Sequence, residues 1–419
     1  MVRPVTTPSL QRRLGLGDAV FIGLGSMVGA GVFAVWAPAA DAAGTGLLVG
    51  LAIAAVVAFG NATSSAQLAA AHPTSGGTYA YGRAELGPWW GFIAGWGFVI
   101  GKTASCAAMA LTFAAYAAPS GWERPVAIAA VVVLTAVNWF GVTRTAGAAR
   151  VIVVITLGAL AAAVTAAFSG GAVPGWFTSD AVWAGGGYGI LQSAGLLFFA
   201  FAGYARIATM GEEVRDPRRV IPRAIIIAFV IALAVYAVVA VAVLAALGPG
   251  GVAASTEPVA DAAARSGWAW IGVVVRVGAA AGSLGALLAL IAGVSRTAFA
   301  MSRERDLPAF LDRVHPRWHV PHRAELTAGA VVVVLVALVD LRGAIGFSSF
   351  GVLLYYFVAN VAAFRQRGRA RRYPAVLQIV GAIGCLVLAV TLPWPSVVAG
   401  VVVVAAGVAY RAIRLSRAA

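Results

Sequence analysis

Few side chains in this sequence of 419 residues can do acid–base, metal or nucleophilic chemistry. His315, His319 and His322 share a helical spacing, but Pro316 and Pro321 interrupt it and no glutamate stands between them as in HExxH. With His72 they read as solvated loop residues rather than metal ligands. Cys106 and Cys385 sit inside long apolar runs, without metal or disulfide spacing, and read as small buried hydrophobes. None of the 15 aspartates and glutamates lies well inside an apolar run. That argues against a carboxylate proton relay and against a carboxylate clamp for a cationic side chain. No GxxxxGK[ST] phosphate loop is present, nor a Ser/His or paired-Asp constellation. These residues call for no cofactor and no metal. They speak against ATP-driven work and against an intramembrane enzyme.

What remains is Lys102, the one lysine among 30 basic residues. It lies about 13 residues into its apolar run, roughly 20 Å along a helix rising 1.5 Å per residue, too deep for easy snorkelling. An ionisable group at that depth is costly and by default functional. Lysine can also give up its proton in a dry site, where arginine stays charged. Two readings stand side by side: a coupling or gating cation, and a structural cation resting on backbone carbonyls.

The glycines show which elements would surround it. GLGSMVGAGVF, residues 23–33, carries Gly23, Gly25, Gly29 and Gly31 in mid-run. Each weakens a helix by about 1 kcal/mol relative to alanine. The plain reading is close helix packing, since Gly25 and Gly29 have GxxxG spacing. The sharper one is a helix broken in mid-membrane, which is tolerated only where the freed backbone is buried in protein or lines a cavity. A second break falls at Gly203 in FFAFAGYARIATMGEEV, residues 198–214, with Arg206 just beyond. After the first break, amides near Gly29, Ala30 and Gly31 would face out, and amides at a helix N-terminus bind carboxylates. Carbonyls near Ser26 and Met27, and near Phe199 and Ala202, would suit an ammonium. Amides on one side and carbonyls on the other fit the zwitterionic backbone of an α-amino acid. Gly29 and Gly31 would then have to stay small.

These breaks belong to a chain that is 61% hydrophobic and 11% charged, against about 25% charged in soluble domains. Twelve apolar runs fall near 16–40, 44–70, 89–117, 125–141, 147–168, 186–210, 220–247, 269–300, 324–340, 344–364, 374–393 and 395–412. About 20 apolar residues cross a bilayer as a helix, and no alternating ten-residue strand pattern is present. The expected class is therefore all-α and integral to the membrane, with twelve transmembrane helices. The net charge of +15 does not point to nucleic acid. With the N-terminus inside, Arg124, Arg265 and Arg342 fall in outer loops and Lys102, Arg206 and Arg276 within runs. The other basic residues gather on the inner side, the positive-inside rule of a cytoplasmic membrane. Residues 1–15 read as a cytoplasmic tail rather than a signal peptide, 16–366 as a core of ten spans, and 367–419 as two further spans with a cytoplasmic C-terminal tail.

Four stretches resemble the amino acid–polyamine–organocation superfamily of permeases. Gly25–Phe33 is similar to that family's unwound first helix. His72–Tyr81 with Gly91–Phe98 resembles its inner loop and third helix. Phe198–Ala224 resembles helix 6 and the loop after it, and Ser295–Ala324 the end of helix 8 and the loop beyond. The resemblance implies a LeuT-type 5+5 inverted repeat with two additional C-terminal helices, and Phe199 as an aromatic lid over the substrate. It implies secondary transport of an amino acid or related amine; the missing carboxylate clamp favours a neutral side chain, and Lys102 makes protons the candidate coupling ion. The sequence departs from the family at two places. Ala205 and Arg206 stand where many members carry an acid. Thr156 stands where some proton-coupled members carry a lysine, so that lysine's role does not transfer. An exporter or exchanger on the same fold, or a sensor that binds without transport, stays open at this level, as do the roles of Arg206 and Arg276.

Overall fold

The computed structural model describes residues 13–73, 76–141 and 146–416. Most of the expected N-terminal tail, Thr74 and Ser75, residues 142–145 and the last three residues lie outside that set. Helices occupy each of the twelve apolar runs. The first run is α1 (Leu16–Met27), α2 (Gly31–Ala34) and α3 (Trp36–Ala43). It is followed by α4 (Leu47–Ala71), a short α5 (Gly77–Leu86), α6 (Pro88–Ala117), α7 (Glu123–Trp139), α8 (Ala146–Ser169) and a short α9 (Ser179–Trp183). The second broken run is α10 (Gly186–Phe201), a 3-10 turn at Ala202–Tyr204, and α11 (Ala205–Ala208). Then come α12 (Pro217–Ala254), a short α13 (Pro258–Ala264), α14 (Ile271–Arg303), α15 (His322–Leu338), α16 (Leu341–Arg365), α17 (Ala375–Thr391) and α18 (Trp394–Ser416). Among the described residues, nine helical stretches are long and apolar enough to cross a membrane, so the protein is a multi-pass membrane protein.

Apolar composition alone does not make these segments helical. In hydrocarbon a segment must satisfy its own backbone, and the helix does so residue by residue. The starts are punctuated by proline at the first helical position, where no N–H is needed, at Pro88, Pro217 and Pro258. The sequence anticipated neither α5 nor α13, because both are short and neither is strongly apolar. The seventh run ends where expected: at Gly248 the chain leaves the helix, with a φ of +68° that glycine adopts without penalty, and a short further helical stretch leads to Ala254.

Small residues set how closely the helices approach. On α6, Gly97 and Gly101 receive Gly351 of α16, where a Cβ would meet Gly97 O at 2.7 Å and Gly101 Cα at 2.8 Å. The two breaks also touch. A Cβ on Gly203 would stand 2.3 Å from Ser26 O and 2.6 Å from Met27 N. Backbone there meets backbone, and no flexible side chain can move aside. Gly203→Ala should therefore destabilise by about 1–3 kcal/mol, the usual scale of overpacking, read as a lower melting temperature in detergent. Gly158→Ala, inside α8 with nothing within 4 Å of the new Cβ, should not lower it and should raise it slightly.

Candidate substrate site

The breaks expose backbone groups that need partners. After α1 the chain leaves the helix at residues 28–30. Val28 N still donates to Leu24 O at 2.7 Å, and Phe33 N and Ala34 N donate to Ala30 O. Among the described residues, the amides of Gly29, Ala30, Gly31 and Val32 donate to nothing. They form the N-terminal end of α2, where an anion is favoured. Gly29 lies against α14, its hypothetical Cβ 2.8 Å from Ala286 Cβ, and Gly31 lies against Ala200 of α10. Their small size therefore serves packing as well as ligand approach, which a reading of the first run alone does not reveal.

The freed carbonyls are taken by side chains. Tyr236 Oη of α12 lies 2.7 Å from Met27 O and 2.9 Å from Ala200 O, so one hydroxyl proton is shared between both breaks. Ala202 O accepts from Lys102 Nζ at 3.1 Å and from Tyr356 Oη of α16 at 3.3 Å. Ala208 O accepts from Tyr81 Oη at 2.9 Å. On the far side of the first break, Tyr116 Oη donates to Phe33 O at 3.3 Å and accepts from Val259 N of α13 at 3.4 Å. Each of these tyrosines sits within an apolar or helical stretch and buries its ring while its tip finds a carbonyl. A buried tyrosine in an apolar run was the available signal, but nothing in the sequence says which carbonyl it meets.

A cavity of about 690 Å³ begins at the junction of the breaks. Ser26, Phe98, Lys102, Met109, Ala202 and Gly203 line its mid-membrane end. It reaches the arginine-rich end of the molecule, where Arg206, Glu212, Glu213, Arg296 and Glu325 line it. Of the residues singled out from sequence, Ser26, Lys102, Ala202, Gly203 and Arg206 are brought together on its wall. Gly29 and Thr156 line a second, narrow crevice between α1, α8 and α14. Met27, Ala30, Gly31 and Phe199 line neither, though all are buried.

Lys102 is 6% exposed and makes no ion pair among the described residues. Its ammonium has three donors and a single protein acceptor in the structure. Arg206 Nη1 donates to Thr209 Oγ1 at 3.2 Å, and Thr209 Oγ1 donates to Arg206 O at 2.8 Å, which pins the turn that closes α11. Thr156 Oγ1 donates back to Ile152 O at 2.8 Å. Arg276 pairs with Glu257 at 3.2 Å, away from the cavity. In the charged loop after α11, exposed Asp216 and Arg219 pair at 3.7 Å. The same loop is tied to the start of α1 by backbone bonds, Arg13 N and Leu14 N to Glu213 O and Arg215 N to Leu14 O.

Two carboxylates that the sequence placed in loops or at span ends are buried. Glu325 is 3% exposed on the cavity wall, with Oε2 unpartnered. Asp306 is 3% exposed and accepts from Tyr79 Oη at 2.9 Å, Arg83 Nη1 at 2.9 Å and Arg411 Nη1. Burial pushes the Asp306 carboxyl above the usual carboxylate range, against the pull of Tyr79, Arg411 and Arg83.

A sequence profile described as amino acid permease matches residues 14–413. An uncharacterized transporter of Mycobacterium tuberculosis is 59% identical over 97% of this chain and 92% of its own length. The branched-chain amino acid permease of Bacillus subtilis is 26% identical over 93% and 90%. Cationic amino acid transporter 4 of Homo sapiens is 29% identical over 84% of this chain and 59% of its own length.

The tyrosine accounting is testable. Tyr236→Phe leaves Met27 O and Ala200 O without a donor and should cost about 1–3 kcal/mol. Thermal unfolding in detergent measures it, with exposed Tyr188→Phe as the control expected to show no change.

Proposed function

We propose that this chain, which belongs to the amino acid permease family, carries amino acids with neutral side chains across the cytoplasmic membrane by alternating access, with Lys102 coupling the movement to a proton. That it is a transporter and not an enzyme follows from the family. The finer reading rests on one observation, a cavity whose mid-membrane end is built from two broken helices and the ammonium of Lys102. The free amides at Gly29–Val32 suit a carboxylate, and carbonyls at Ala202 and its neighbours suit an ammonium. The relatives carry names that divide between branched-chain and cationic amino acids. Phe98, Met109 and Gly203 at the mid-membrane end supply no acid for a second cation, and the carboxylates stand at the arginine-rich mouth. This favours a neutral, apolar side chain.

The same proposal includes twelve spans, with a core at 16–366 built as a LeuT-type 5+5 repeat and 367–419 as an addition to it. The contact between the breaks at Gly203 and Ser26 supports it, as such repeats place their discontinuous helices together at the midplane. The arginine-rich end is the cytoplasmic one, with both termini on that side. Substrate reaches the site from either side in turn, and the proton rides on Lys102. Protonated, the ammonium holds Ala202 O. Neutral, it donates more weakly and frees the turn to repack. The two protonation states then favour different packings, which is the requirement for coupling.

Uptake of a labelled amino acid panel into proteoliposomes, with and without an imposed pH gradient, tests the reading. Wild-type protein should accumulate neutral amino acids only with the gradient. Lys102→Met should lose about tenfold or more of gradient-driven accumulation while substrate binding stays within a few-fold, as expected when coupling and binding are separable. Lys102→Arg should fail in the same way, since arginine stays charged through the cycle. Wild-type accumulation by Lys102→Arg would make the ammonium a fixed structural cation.

A further inference from the structure

The short helix α5 touches both sides of the cavity mouth. Tyr79 and Tyr81 are two positions apart on it, and residues so spaced do not share a helix face. Tyr81 Oη holds Ala208 O at the end of α11, the outgoing half of the second broken helix. Tyr79, which itself lines the cavity, donates to Asp306 in the segment after α14. Among the described residues, one end of this strut is a single neutral hydrogen bond. The other is a buried carboxylate also gripped by Arg83 of α5 and Arg411 of α18. Arg411 is 5% exposed, and its guanidinium lies 4.9 Å from the ring centres of both Trp89 and Phe92. Arg414, one turn on, donates to Leu307 O. The last helix thus reaches back to hold the segment that anchors α5.

The two grips differ in strength. A neutral hydrogen bond contributes about 0.5–1.5 kcal/mol and one to a charged group about 1.5–3, and the Asp306 end has three donors. When α11 and α14 move apart or together, one grip must yield, and the weaker yields first.

We propose that α18 is a working part of the gate at the arginine-rich mouth: Arg411 is a positioning residue that locks Asp306 onto Tyr79, so that α5 travels with α14 and α18 and the gate opens at Tyr81–Ala208. This rests on the transport reading for its meaning but not for its test. Thr209 lies beneath the start of α5, its Cγ2 3.2 Å from where a Cβ on Gly77 would stand, and it lines the cavity. Both native cysteines are buried, so Thr209→Cys reports to a membrane-impermeant maleimide applied to the arginine-rich side; because it gives up the Oγ1 contacts with Arg206, every rate is compared within that background.

In that background Arg411→Met and Asp306→Asn should each change the labelling rate about threefold or more, the effect of losing a contact of this kind. They should lower the maximal transport rate more than they alter KM. Tyr79→Phe, which removes a single hydroxyl, should move labelling the same way and should not add to Arg411→Met, because the two act through one carboxylate. Tyr81→Phe should add to it, being the opposite grip. If Arg411→Met lowers the melting temperature yet leaves labelling and transport per folded molecule unchanged, α18 is only cladding and the proposal fails. It fails too if Arg411→Met and Tyr79→Phe simply add. Should Arg411→Met not fold, Tyr79→Phe decides alone, and unchanged labelling overturns the idea. Labelling needs no substrate, so a wild type that moves no amino acid would defeat the transport reading and leave this result standing.

Discussion

Backbone that leaves the helix inside a bilayer has no water to turn to, and the rest of this structure is arranged around two places where it does so. Each unpaired amide or carbonyl in such a setting costs several kcal/mol. At Val28–Ala30 the chain frees amides and a carbonyl, and around Ala202–Tyr204 it frees carbonyls. The carbonyls are met from three other helices, by Tyr236 of α12, Lys102 of α6 and Tyr356 of α16. Among the described residues, the amides of Gly29–Val32 are not met. The acceptors are thus mostly satisfied and the donors are not, and of Gly29–Val32 only Gly29 reaches a crevice while none lines the cavity.

The same constraint explains the small residues. Tyrosines can stitch two breaks only if the breaks are adjacent, and adjacency at 2–3 Å from a would-be Cβ demands glycine at 203 and small residues at 29, 31 and 200. Tyr236 spans both breaks with one hydroxyl, so any motion separating α1 from α10 must give up one of its two contacts. A neutral hydrogen bond is a modest net loss, about 1 kcal/mol. The junction is thus firm enough to be ordered and weak enough to rearrange, as the proposed alternating access would require.

Much of the framework was legible in the sequence. Apolar length located the helical runs because hydrocarbon thickness fixes it, and glycine clusters located the breaks because glycine is the poorest residue to leave there without purpose. Partnership was not legible. Tyr236 and Met27 are 209 positions apart, and hydropathy carries no information about which face of one span meets which face of another. The burial of Asp306 and Glu325 was not legible for a related reason. Their neighbours in sequence are polar, but helices from elsewhere close over them, so burial came from tertiary packing rather than from the local run. Phe199, expected as a lid, is buried without reaching the cavity wall in this conformation.

The choice of donor at Ala202 O distinguishes a switch from a stitch. Three of the freed carbonyls take only tyrosine hydroxyls, which stay neutral and keep their proton throughout any physiological cycle. At Ala202 O a tyrosine is present too, at 3.3 Å, so satisfying the carbonyl did not require a second donor. The lysine is therefore a second grip on a carbonyl already met, and its burial, without an ion pair among the described residues, is costly to folding. A chain that uses arginine at every other basic position has kept a lysine here, where a cation able to shed its charge differs most from one that cannot. A costly group, a second donor to its carbonyl and placed on the cavity wall, is what the proposed coupling role would account for.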